Sequence, residues 1–88
     1  LAAPRPNPFT GSSALAYTLS ADGEATLAIY DVRGARVRTL ASGTQGAGDH
    51  SVTWDGRDEH GSTAPPGVYL VRLEAEGRVV TRRLVAVR

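Results

Sequence analysis

The ligand-type oxygens that stand closest together in this chain fall in one stretch, Asp55-Gly56-Arg57-Asp58-Glu59-His60-Gly61-Ser62. The carboxylates of Asp55, Asp58 and Glu59 are of the kind a hard cation such as calcium takes. An EF-hand loop, however, needs a ligand at its third position, where Arg57 stands, and flanking helices, which the surrounding sequence does not offer. The competing reading has Asp55 and Asp58 accepting bonds from backbone N–H groups of their own turn. That reading is favoured, and no metal or cofactor is expected. His60, Asp58 and a serine could be assembled on paper into a nucleophilic triad. Such a site also needs an orienting group for the base, oxyanion donors and a water-excluding cleft, whereas these residues sit in exposed turns. No catalytic residue is assigned, and an enzyme is not expected.

Trp54 could serve as a stacking platform for a sugar. It shares a strand face with Val52, though, and no second exposed aromatic stands at a useful spacing, so core packing is favoured. His50, on the same strand, reads as a solvated or hydrogen-bonded residue rather than a ligand. Gly56-Arg57-Asp58 is not the integrin tripeptide, because the order is changed.

The elements that must hold these residues are strands. Leu15, Tyr17 and Leu19 recur at every second position, the period of a strand with one buried face, and Ala21-Asp22-Gly23-Glu24 supplies turn chemistry. Ala25 to Val32 is apolar on both faces and suits a central strand. A tight turn at Val32-Arg33-Gly34-Ala35 leads to a hairpin partner, Arg36 to Leu40, with Val37 inward and Arg36 and Arg38 outward. Ala41 to Gly48 is rich in glycine and reads as a loop. His50, Val52 and Trp54 form the next strand face. Pro66-Gly67 fits the centre of a type II turn, launching Val68 to Ala75 with Tyr69, Val71 and Leu73 on one face. Glu76-Gly77 then closes a hairpin onto Arg78 to Arg88. Six or seven short strands at this spacing, with no helical period, predict an antiparallel sandwich.

A chain of 88 residues buries only about 60 to 65 per cent of the surface its unfolded form exposes. Its core must be thin, filled by aliphatic residues with Phe9, Tyr17, Tyr30, Trp54 and Tyr69, and a deep substrate cavity would remove much of it. With no cysteine there are no disulfides and no thiolate chemistry. Ten basic residues, all arginine, stand against nine acidic ones for a net charge of +1, too balanced for a dedicated nucleic-acid surface. No apolar run is long enough to span a bilayer, and no basic-then-apolar leader is present. Prolines at positions 4, 6 and 8 keep the opening extended, so residues 1–9 read as a linker that Phe9 pins to the body, residues 10–88. The chain is read as the end of a longer protein.

The last strand interleaves Val79, Val80, Leu84, Val85 and Val87 with Arg78, Arg82, Arg83 and Arg88. Such a strand suits a sheet edge, whose unpaired backbone can receive an added strand. Equally, its arginines can act as gatekeepers against aggregation while their stems cover the sandwich. Both readings stand.

Pro6-Asn7-Pro8-Phe9, Ile29-Tyr30-Asp31 with Gly34, Val37 and Leu40, and Gly48, His50, Val52 and Trp54-Asp55-Gly56 together form an ordered pattern. Gly61, Pro65, Gly67-Val68-Tyr69 and Arg72-Leu73 continue it. Across essentially the whole chain, this pattern resembles the carboxy-terminal sorting domain of the type IX secretion system and its relative, the Ig-like domain of the flagellar hook-capping protein. The resemblance implies an Ig-like antiparallel β-sandwich of about seven strands. It also implies a secretion and anchoring address at the end of an exported protein, with an upstream cargo domain in the same chain. Its partners would be an outer-membrane translocon, a shuttle protein and a sortase, with cleavage near or before Pro4 and a secreted or cell-surface location. By that likeness the shuttle reads the terminal hairpin through Gly67, Tyr69, Arg72, Arg78, Arg82, Arg83, Val85, Val87 and Arg88. Asp31, Gly34, Trp54, Asp55, Gly56, Asp58, Gly61 and Pro66 shape the supporting loops. The alternatives are a structural or adhesive Ig-like module, such as a hook-cap subunit or a spacer, and a carbohydrate-binding accessory domain.

Overall fold

Apolar side chains at every second position build the long strands of the chain. In the computed structural model, which describes residues 1–87, the strands are β1 (Ser13–Leu19), β2 (Gly23–Asp31), β3 (Arg36–Ala41), β4 (Thr44–Gln45), β5 (Gly48–Trp54), β6 (Gly67–Ala75) and β7 (Arg78–Ala86). β1 pairs antiparallel with β5, Leu15 opposite Val52 and Tyr17 opposite His50. The larger sheet runs β3-β2-β6-β7, with β4 added beside the start of β2. The result is an all-β antiparallel sandwich of seven strands.

Leu15, Tyr17 and Leu19 of β1 face Leu27 and Ile29 of β2, Val71 and Leu73 of β6 and Leu84 of β7, all buried in one core. Trp54 is fully buried and lies between two other aromatics. Its ring centroid is 5.5 Å from that of Phe9 and 5.3 Å, edge-on, from that of Tyr69. The indole N–H donates to Arg57 O at 2.9 Å, so the one polar atom of the ring is satisfied inside the protein.

Residues 1–9 dock across the sandwich, but not as the uninterrupted extended segment expected: the chain bends at Pro6 to Pro8, with cis bonds at Arg5-Pro6 and Asn7-Pro8. Ala2 N donates to Ala16 O, and Arg5 and Ala14 exchange backbone bonds, which extends the smaller sheet beyond β1. Phe9 then bridges Ala86 in parallel, donating to Val85 O and accepting from Val87 N, both at 2.9 Å, beside β7 of the larger sheet. The strap thus crosses from one sheet to the other along an open side of the sandwich.

Three further sequence expectations are corrected. The glycine-rich loop after β3 contains β4, because Gln45 accepts from the Tyr17 hydroxyl and donates to Ala25 O at 3.3 Å. Gly67 has φ 147°, far from the roughly +80° of a type II turn, and already pairs with Ala86 as the first residue of β6. Arg38 does not stand free on the outside: bulges in the β2–β3 pairing shift the alternation, and its guanidinium reaches Asp55 at 3.0 Å.

The β6–β7 hairpin closes through two residues with positive φ, Glu76 at 56° and Gly77 at 73°, the signature of a type I′ turn that twists with its strands. Glutamate is a costly choice for a left-handed position. Its carboxylate compensates by accepting from Ser20 N at 2.7 Å, Ser20 Oγ at 2.6 Å and Ala21 N at 3.3 Å, tying this turn to the one between β1 and β2. The Ser20 bonds, reinforced by Ala21 and Arg78, hold the Glu76 carboxyl below its ordinary value of 4.5.

Two outcomes follow from this packing. Phe9→Ala should cost about 3–5 kcal/mol, a large part of the roughly 5–15 kcal/mol that domains possess. Urea unfolding followed by Trp54 emission, which should be blue-shifted and shielded from acrylamide in the native state, measures it. Because Glu76 is more acidic folded than unfolded, its contribution is present above the unfolded value and is lost as pH falls through the folded one. In Glu76→Gln that part of the acid limb should flatten, with lower stability than the parent at neutral pH, as melting temperatures across pH 2 to 7 would report.

Candidate functional site

The loop after β5 turns its carboxylates back onto its own chain. Asp55 Oδ1 accepts from Arg57 N at 3.1 Å as well as from Arg38. Asp58 Oδ1 accepts from His60 N at 2.9 Å and Ser62 N at 3.0 Å, and Glu59 Oε1 accepts from Thr39 N at 2.6 Å. Asp31 does the same for the β2–β3 turn, accepting from Arg33 N and Ala35 N, with Gly34 at φ 86°. Gly61, at φ 84°, reverses the chain after Asp58 and its carbonyl accepts from Arg57 Nη1. Among the described residues, no three His, Asp or Glu side chains gather in a way that would hold a metal ion.

Gly56 is where this loop meets the strap. It is buried at φ 76°, and a Cβ there would lie 3.5 Å from Gly11 O and 3.7 Å from Phe9 Cε2. The residues after Trp54 therefore seat Phe9 against the indole. Between this loop and the Asp31 turn is an open notch of about 400 Å³, lined among others by Asp31, Arg36, Asp58, His60 and Tyr69. Asp58 and His60 share that lining, but the Asp58 oxygen named above faces the backbone of its own turn. His50 is drawn into the fold, stacked on Tyr17 at 5.1 Å with Nε2 2.7 Å from Gly46 O.

The β6–β7 hairpin sorts the residues assigned to partner recognition. Tyr69 is a correction: odd positions of β6 face inward, its ring is only 5% exposed, and its hydroxyl donates to Pro65 O. It is a core residue, with its small remaining surface on the notch rather than on the outer face of the hairpin. Gly67 is half-buried in the ladder, and Pro66 is exposed at the bend before it. Arg72 lies on the outer face over the Tyr30 ring at 5.6 Å, its Nε 3.1 Å from Glu74 Oε1 without the alignment of a hydrogen bond. Arg78, Arg82 and Arg83 are exposed. Arg82 Nε donates to Leu1 O at 2.9 Å, and none of the three forms an ion pair with a carboxylate of the described residues. Val85 is half-buried and Val87 is exposed. Arg88 lies outside the described residues.

Sequence reading missed the part played by Asn7. Its side-chain amide imitates a strand peptide: Nδ2 donates to Arg83 O at 2.9 Å and Oδ1 accepts from Val85 N at 3.0 Å. An amide side chain between two prolines, which cannot themselves donate, was the available signal. Also missed was the outer face of the larger sheet. There Val68 lies beside Val85, Leu70 lies between Tyr30 and Arg83, and Val79 is 55% exposed.

Comparison with known proteins bears on this arrangement. The chain is 52% identical over 50 residues to the basal-body rod modification protein FlgD of Escherichia coli K12, a match covering 57% of this chain and 22% of that protein. It therefore spans about a fifth of the length of that relative. The structure of FlgD from Xanthomonas campestris superposes with a TM-score of 0.65 at 25% identity, covering 90% of this chain and 58% of that one. That of latent PorU from Porphyromonas gingivalis superposes with a TM-score of 0.74 at 21% identity, covering 96% of this chain and 9% of that one, a likeness of fold. The model of the FlgD Ig-like domain matches residues 7–78, ending where β7 begins. With Asn7 to Phe9 of the strap, the aromatic core and β1 to β6 inside that match, this chain belongs to the FlgD Ig-like domain family.

Proposed function

We propose that this chain is a non-catalytic sorting module of a longer exported protein, and that its terminal hairpin is read by an outer-membrane secretion machinery that delivers the protein to the cell surface. The observation that carries the reading is the state of β7. Arg82 and Arg83 are exposed on an outer strand without carboxylate partners among the described residues, and Arg78, also exposed, has only the Glu76 charge of the adjoining turn near it, while the acids of the loops are bonded to turns. Charge left unpaired on one strand offers a partner electrostatic steering and geometric selection. The ordered motifs from Pro6-Asn7-Pro8-Phe9 to Arg72-Leu73, which resemble the sorting domains of the type IX system, support the same reading. In it, shuttle, translocon and sortase are the partners, and the cargo lies upstream in the same protein.

A second reading is a structural Ig-like module of hook-cap type, which the identity to FlgD of E. coli favours. In that reading the module packs within a flagellar assembly and the arginines of β7 carry no address.

Removing β7 would not separate these readings, because Leu84 is part of the core. Charge reversal does. Arg82→Glu with Arg83→Glu in the full-length parent protein should lower its surface fraction by about tenfold or more, the effect expected when two charge-assisted contacts are lost. Trp54 emission and melting of the 88-residue chain should stay unchanged. Cell fractionation of the parent and the variant in the native host is the measurement, and undiminished surface delivery of a folded variant rules the sorting role out.

A further inference from the structure

The backbone edge of β7 is covered along one half only. Val85 and Val87 direct their backbone groups away from β6, where Phe9 and Asn7 take them. By the two-residue repeat of an antiparallel ladder, Val79, Thr81 and Arg83 point theirs the same way. Asn7 takes the carbonyl of Arg83. Upstream of it no described segment pairs with this edge. The N–H and C=O of Val79 and Thr81, with the N–H of Arg83, form an open ladder facing outward.

What flanks that ladder selects what can join it. Val79 and Arg83 project on the outer face of the sheet, and Arg78 and Arg82 on the opposite side of the same strand. A second copy of the edge would bring its own arginines against these, and like charges repel. The features that discourage self-pairing therefore favour an added strand of opposite charge.

We infer that the Val79–Arg83 edge of β7 is a strand-addition site for a short, extended, acidic segment of a partner protein, with carboxylates meeting Arg78, Arg82 and Arg83 and an apolar side chain meeting Val79. Main-chain bonds supply affinity and the charges supply selection. The inference rests on the reading that β7 faces the partner, and it adds the mode of binding and the chemistry of the occupant.

The test uses the isotopically labelled 88-residue chain and a short synthetic peptide of glutamate, valine and threonine. On titration, amide exchange should slow at Val79, Thr81 and Arg83 and stay unchanged along β3. A peptide with lysine in place of glutamate should have no effect, and one N-methylated at alternate backbone positions should bind at least about tenfold more weakly. Thr81→Pro, which removes an edge N–H that the sheet itself does not use, should weaken the acidic peptide similarly while Trp54 emission is unchanged. No protection at these amides, protection on another edge, or equal binding by the lysine or N-methylated peptide overturns strand addition. Should reversal of Arg82 and Arg83 block export while these amides stay unprotected, the sorting role stands and strand addition falls. Protected amides with unimpaired export give the converse.

Discussion

The contact of Trp54 with Phe9 on one side and Tyr69 on the other is the interaction the rest of the structure depends on. The three rings come from β5 of the smaller sheet, from the strap, and from β6 of the larger sheet. Two strands have little stability by themselves. β1 and β5 persist because their inner face is sealed against the larger sheet, and the strap closes the open side between them. Aromatic rings of this size dominate a small core. Gly56, buried beside the Phe9 ring, turns the chain there with a φ of 76° that glycine adopts without strain.

A net charge of +1 conceals a division of labour. Acidic side chains are committed to the body of the fold: Asp22 caps Ala47 N, Asp31 and Asp58 organise their turns, Asp49 accepts from Thr18, and Glu76 ties two turns together. Each satisfies backbone or hydroxyl donors that would otherwise look to water. The arginines of β7 are less committed: Arg82 donates to Leu1 O, Arg78 lies in reach of the Glu76 charge, and none of them forms an ion pair within 4.0 Å among the described residues. Positive charge thus gathers at Arg82 and Arg83 in a protein that is nearly neutral, beside an open backbone edge, while the hairpin end of the strand carries Glu74 opposite Val79 and Glu76 next to Arg78.

Elements with a strict period were legible from residue types alone. The inward faces of β1, β5 and β6 could be read off directly, because burial on one face imposes alternation. β4 was not legible: two residues in a glycine-rich stretch carry no period, and their pairing depends on Tyr17 and Gln45 meeting from separate segments. The same limit explains Arg38, since a bulge is set by the partner strand and changes which way a side chain points. Tyr69 shows the opposite failing. Its alternation with Val71 and Leu73 placed it in the core, and only the likeness to sorting domains had assigned it to a partner. In β7, where valines and arginines mix on both faces, Leu84 is the fully buried residue that sets the strand's orientation, a fact that needs the β6 register.

The strap also decides how much of β7 is free. Because Phe9 must reach the indole, the chain before it passes beside Arg83 to Val87, and Asn7 satisfies the ladder at that place with a side chain where proline leaves no backbone donor. Toward its start the strap pairs with β1 and meets β7 only through the Arg82 side chain, which donates to Leu1 O. The covered part of the edge is the part that Phe9 and Asn7 reach, with the Phe9 ring packed on the indole. A partner seated on the remaining edge would lie next to the strap, at the junction through which any upstream domain is attached, so the segment that seals the core also brings that junction to the open edge.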